Sequence, residues 1–255
     1  MTPRPYVLAE TNWKTVSETR YEVAVLPWGA TEVHNFHLPY GTDTMQVEAV
    51  AREAARIAWE AGARVVVLPA VAFGVQTGQL DIPLCINMNP STQLAVLRDV
   101  ADSLAGQGIK KLVILNGHGG NDFRAMIREL TPRTPVMLCA INWYQVEDGK
   151  LYFAAPGDHA GELETSVMQH VAPGLVRPLS EAGDGSERKL RMAGFREGWA
   201  WTPRRWRSAS ADTGIGDPRA ASAEKGERFV AAVGLKVGAF LAEFARADPS
   251  DMYER

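Results

Sequence analysis

Short apolar runs alternate with stretches of helical periodicity over the first two-thirds of this 255-residue chain, and few folds satisfy that alternation. Residues 21–26 (YEVAVL), 63–69 (ARVVVLP), 111–115 (KLVIL) and 135–142 (PVMLCAIN) have the length and β-branched content of strands, the first ending at Pro27. Between them, 44–61 repeats Val47, Val50, Ala51, Ala54 and Ile57 at helical spacing, and 90–107 and 121–130 read as helices. Further helices are expected at 162–171 and at about 221–245. Strand–turn–helix repeated in this way predicts βαβ units: an α/β fold with a mostly parallel central sheet covered on both faces. Such sheets bind ligands at the carboxyl ends of their strands.

The composition fits one globular unit, expected to span 1–255. Hydrophobic residues make up 46% and charged residues 22%, with a net charge of -3. That balance argues against a nucleic-acid partner, which calls for a basic footprint. Arg204, Arg205 and Arg207 form a short basic cluster broken by Trp206, read as a solvated or subunit-facing loop. No apolar run approaches the ~20 residues of a membrane span. With two cysteines, Cys85 and Cys139, and no leader-like N-terminus, the expected location is the cytoplasm. Residues 177–218 lack periodicity and are too long for a plain connector, so they are expected to be functional, ordered by a partner subunit, or both. Trp199, Trp201 and Trp206 in that stretch are read as a lid or subunit contact, or as simple loop packing.

Four of the five histidines fall in three polar, glycine-marked segments, each after an apolar run. In the first, 29–44 (GATEVHNFHLPYGTDT), Glu32 and His34 are two apart and project the same way from extended chain, and Asp43 opens the next helix. Glu, His and Asp suit Zn²⁺, Mn²⁺ or Fe²⁺, and a carboxylate such as Asp43 can bridge two ions. In the second, 116–122 (NGHGGND), His118 stands at a strand's carboxyl end. In the third, 157–166 (GDHAGELETS), a helix start accounts for Asp158, Glu162 and Glu164 but not for His159. A neutral imidazole ready to act as a base fits that position better. His170, late in the same helix, is given no role. Trp143 and Tyr144, just past a strand, are read as pocket-lining residues.

The three segments, in this order, resemble the creatininase (creatinine amidohydrolase) family, with a weaker match at GDPRAASAEKGERF. The resemblance spans about 27–229. It implies a three-layer α/β/α fold, two divalent metal ions and hydrolysis through a hydroxide they share. It further implies Glu32, Asp43 and His118 around the first ion, His34 and the bridging Asp43 around the second, and His159 as the catalytic histidine. Family members commonly form hexamers, so a homo-oligomer acting on a small-molecule substrate is expected. Creatininase proper has a glutamate ligand where this chain has Gly120. Glu162 is therefore expected to complete the second site, with Glu164 the substitute or a residue assisting catalysis by orienting a ligand or water. That swap turns the expectation away from creatinine as substrate, and residues 76–89 do not match creatininase's substrate loop, so a small cyclic amide or formamide is expected instead. A carbon–carbon hydrolase opening a cyclic polyol diketone and a non-catalytic metal-binding protein are the alternatives.

Overall fold

A computed structural model describes residues 3–254. Four strands, β1 (Val23–Trp28), β2 (Val65–Val67), β3 (Lys111–Asn116) and β4 (Met137–Asn142), form one sheet in the order β2-β1-β3-β4, with every pair parallel. The helices are α1 (Trp13–Glu18), α2 (Thr42–Glu60), α3 (Pro90–Gly106), α4 (Phe123–Leu130), α5 (Glu162–Val171), α6 (Ala193–Arg196), α7 (Trp206–Ala209) and α8 (Ala223–Arg246).

The pleat sorts the strand residues into two cores. Val23, Val25, Val113 and Leu115 pack with α2, α5 and α8 through Val47, Val50, Val167, Phe229 and Val233. Ala24, Leu26, Leu112 and Ile114 face the other way, onto Leu97 and Leu104 of α3 and Phe123, Met126 and Leu130 of α4. This is the expected three-layer α/β/α arrangement. Both sheet faces are buried, which explains why the strands read as unbroken apolar runs. Truncating one of these side chains, such as Leu115 (0% exposed), costs about 2–5 kcal/mol.

Two boundaries differ from the sequence expectation. β1 does not stop at Pro27 but runs through it to Trp28. The Pro27 carbonyl faces the β2 side, where it accepts from Val71 N (3.0 Å) beyond the end of β2. The missing proline N–H therefore costs no ladder bond. α4 begins later than expected, at Phe123, because Asp122 caps it by accepting from Arg124 N (3.1 Å). No helix among the described residues is long and apolar enough to cross a membrane. Cys85 and Cys139 are both free thiols.

Candidate metal centre

Parallel strands deliver their carboxyl ends to one edge of the sheet, and three segments meet there. The loop after β1 carries Glu32 and His34, and the first turn of α2 carries Asp43. The loop after β3 carries His118. The segment entering α5 carries His159, and α5's first turn carries Glu164. Glu32, His34, Asp43, His118 and His159 are all buried, though they are charged or polar.

Their donor atoms converge. His118 Nδ1 lies 3.0 Å from Glu32 Oε1 and 3.0 Å from Asp43 Oδ2. His34 Nε2 lies 3.1 Å from Asp43 Oδ1 and 3.9 Å from Glu164 Oε1. His159 Nδ1 is 3.8 Å from Glu32 Oε1. Three sets could each hold a cation: Glu32–Asp43–His118, His34–Asp43–Glu164 and Glu32–His34–His159.

Each histidine has its other ring nitrogen on a backbone carbonyl. His34 Nδ1 meets Glu32 O (3.2 Å), His118 Nε2 meets Val75 O (2.9 Å) and His159 Nε2 meets Val33 O (2.7 Å). A carbonyl only accepts, so those nitrogens carry the protons. Whenever the ring is neutral, the opposite nitrogen is then the one with a lone pair turned to the cluster, which is how proteins orient imidazoles towards a metal. Asp43 Oδ2 is buried, and while His118 is neutral no donor among the described residues satisfies it. A buried carboxylate oxygen without a partner, facing imidazole lone pairs, is the donor set a divalent cation satisfies.

The electrostatics agree. Burial pulls His34 down, but Asp43, Glu164 and Glu32 outweigh it and push its pKa up to about 10. His118 is driven well above its ordinary value against the same burial effect, by Glu32 and Asp43. Asp43 is lowered by His34 and His118 despite burial. Glu164 is pushed up to about 7, first by burial and then by Asp43, with His34 opposing. The acidic groups thus attract positive charge to this point, whether protons or cations. His159 goes the other way, to about 4, because burial and the neighbouring His34 disfavour its charged form.

One expected residue is not brought to the cluster. Glu162 is fully buried on the other side of α5, where Lys225 Nζ of α8 binds Oε1 (2.6 Å) and Ala155 N donates to Oε2 (2.9 Å). The carboxylate that reaches His34 and Asp43 is that of Glu164. Its Oε2 accepts from Ala160 N (2.5 Å), leaving Oε1 towards His34. Nor could position 120 supply a carboxylate. A Cβ there would lie 2.1 Å from Val75 O and 2.5 Å from His118 Nε2, breaking the bond that orients His118. Trp143 also departs from expectation: it is buried against Phe229 and belongs to the core, whereas Tyr144 lies beside the glycine loop at Gly119.

Sequence reasoning missed Gln79. It is fully buried, its Nε2 donates to Glu32 Oε2, and its Oε1 accepts from Cys85 Sγ (3.1 Å). It fixes one Glu32 oxygen and so aims the other at the cluster. A buried polar residue in an irregular loop leaves no periodic signal to find.

An α/β/α sheet with carboxylates and imidazoles gathered at its strand ends carries a candidate metal centre where open parallel sheets bind their ligands. The family model for creatininase, creatinine amidohydrolase, matches residues 9–241, and the chain belongs to that family. It is 31% identical over 218 residues to the mycofactocin precursor peptide peptidase of Mycobacterium tuberculosis, covering 82% of this chain and 80% of that protein. A creatinine amidohydrolase-like protein from Bacteroides fragilis NCTC 9343 superimposes with a TM-score of 0.92 at 45% identity, covering 98% and 99% of the two chains. Creatininase structures in a manganese form and a zinc–zinc form share the fold at a TM-score of 0.75 and 22% identity, covering 96% of this chain and 100% of theirs.

Proposed function

We propose that the protein is a dinuclear metal-dependent amidohydrolase that cleaves the C–N bond of an amide. The observation that carries this reading is the convergence of Glu32, Asp43, His118, His34 and Glu164 on two cation-sized sets that share Asp43. Glu32, Asp43 and His118 would hold one ion, and His34, Asp43 and Glu164 the other. Two divalent ions there, zinc or manganese by the forms known in related structures, supply Lewis acidity and make water nucleophilic near neutral pH.

The chain's own residues supply the rest. His159 is neutral, its Nε2 proton is committed to Val33 O, and its Nδ1 faces the cluster. Nδ1 takes a proton as water attacks the carbonyl carbon and returns it to the departing amide nitrogen. His118, His34 and His159 are each held by a backbone carbonyl, so the groups need little reorganisation as charge develops. Gln79 keeps Glu32 pointed inwards. Replacing His159 by Ala is expected to lower turnover about a hundredfold or more with metal retained.

The substrate expected from the sequence is a small cyclic amide or formamide. A peptide is the second reading, favoured by the 31% identity to a peptide peptidase. Self-association is part of the same proposal: Trp199 and Trp201, 76% and 85% exposed, are apolar surface suited to a second subunit. The test is metal analysis of the purified protein with a panel of cyclic amides, formamides and short peptides. About two divalent ions per chain and hydrolysis of an amide support the reading. A metal-replete protein that cleaves only cyclic diketones, or nothing, overturns it.

A further inference from the structure

His159 carries the proton in the proposed reaction, and its geometry depends on a segment the catalytic reading does not use. The stretch between α5 and α8 returns over the site at 204–210. Trp206, the first residue of α7, lies with its ring centroid 4.5 Å from that of His159. The two planes are 55° apart, and His34 stacks on the same imidazole at 4.2 Å, with 29° between the planes. The imidazole is therefore packed against two aromatic rings.

A single hydrogen bond, Nε2 to Val33 O, fixes one ring atom but still lets the ring pivot about that point. Packing against two other rings restricts the pivot. His34 supplies one, and Trp206 the other.

Trp206 is itself held. The Arg204 guanidinium carbon sits 4.9 Å above the indole, a cation–π distance. Arg204 Nη1 pairs with Asp158 (2.9 Å), the residue before His159, and Nη2 with Glu187 (3.4 Å). The strap's backbone is pressed onto the turn at Thr77–Gln79. A Cβ on Gly78 would lie 1.8 Å from Arg204 O and 3.2 Å from Trp206 Cδ1, so only glycine allows this approach.

We infer that Trp206, braced by Arg204, is a positioning residue for His159: its indole packs against the imidazole and holds Nδ1 towards the cluster. This rests on the amidohydrolase reading for its consequence, but not for its geometry. The fold thereby brings a long aperiodic excursion against the catalytic histidine.

The test has two readouts on W206A, W206F and R204M. The first is the rate at which diethylpyrocarbonate modifies His159, followed by peptide mass spectrometry on metal-loaded and metal-free protein. The second is kcat and KM on the best amide substrate. In W206A, His159 should be modified about tenfold faster while the other buried histidines are unchanged. Its kcat should fall about thirtyfold with KM nearly constant, the signature of misplacement rather than lost binding. W206F should restore both. R204M should shift both in the same direction by less, and combining it with W206A should add little, because Arg204 acts through the indole. If W206A does not fold, W206L carries the same comparison. Wild-type labelling and kcat in the truncated variant would overturn the inference, as would equal acceleration at every histidine. If the wild type hydrolyses no amide, the functional proposal falls, and the labelling pattern alone still decides the role of Trp206.

Discussion

The two sides of α5 carry two glutamates with opposite fates. Glu162 and Glu164 both sit in its first turn, where either is favourable to the helix dipole. Two positions along a helix turn by about 200°, so they face apart. Glu162 meets Lys225 and a backbone N–H, and its charge is neutralised. Glu164 meets His34 and Asp43, and burial beside another acid drives it to about 7. One carboxylate is a buried strut between α5 and α8. The other shares its surroundings with Asp43, so that a proton or a bound cation eases the crowding of the two acids. The difference shows that burial of an acid does not identify a ligand; what its oxygens face does.

The sharpest way to break this comparison is Asp43, which both sets share. D43N keeps the shape but removes the charge, and should abolish binding of both ions and lower activity about a thousandfold or more, measured by metal analysis and turnover. E164Q should cost about a hundredfold in activity and weaken only the set with His34 and Asp43. Q79A should lower metal affinity by about tenfold to a hundredfold, read by chelator competition, because Glu32 loses its anchor. K225M strands Glu162 as a buried unpaired charge. It should cost about 3 kcal/mol in denaturant unfolding while leaving metal content unchanged.

The smallest effect is on pH dependence, in metal-free protein. The folded state holds Glu164's proton up to about pH 7, whereas the unfolded chain releases it near the ordinary value of 4.5. Between those limits the folded state binds more protons, so stability falls as pH rises through this window. Comparing wild type with E164Q isolates the effect: the variant should gain on the wild type as pH rises from about 4.5 to about 7. A difference that stays flat with pH would place Glu164 outside the charged cluster.

Much of this was legible in the sequence. The alternation of apolar runs and helices gave the layers, because both sheet faces are covered. Glu32, His34, Asp43, His118 and His159 stood out because metal and proton chemistry needs those side chains at strand ends. Glu162 against Glu164 was not decidable, since a helix's first turn offers both and only its rotation against α8 chooses. Trp206 was visible as one of three tryptophans in an aperiodic stretch. Nothing local marks it as the one that reaches His159; the glycine at 78 that admits the strap lies over 120 residues away in the chain.

The most direct test is metal stoichiometry by mass spectrometry of wild type, E162Q and E164Q purified side by side. The account predicts about two ions per chain in wild type and E162Q, and about one in E164Q. Full occupancy in E164Q with loss in E162Q would contradict it.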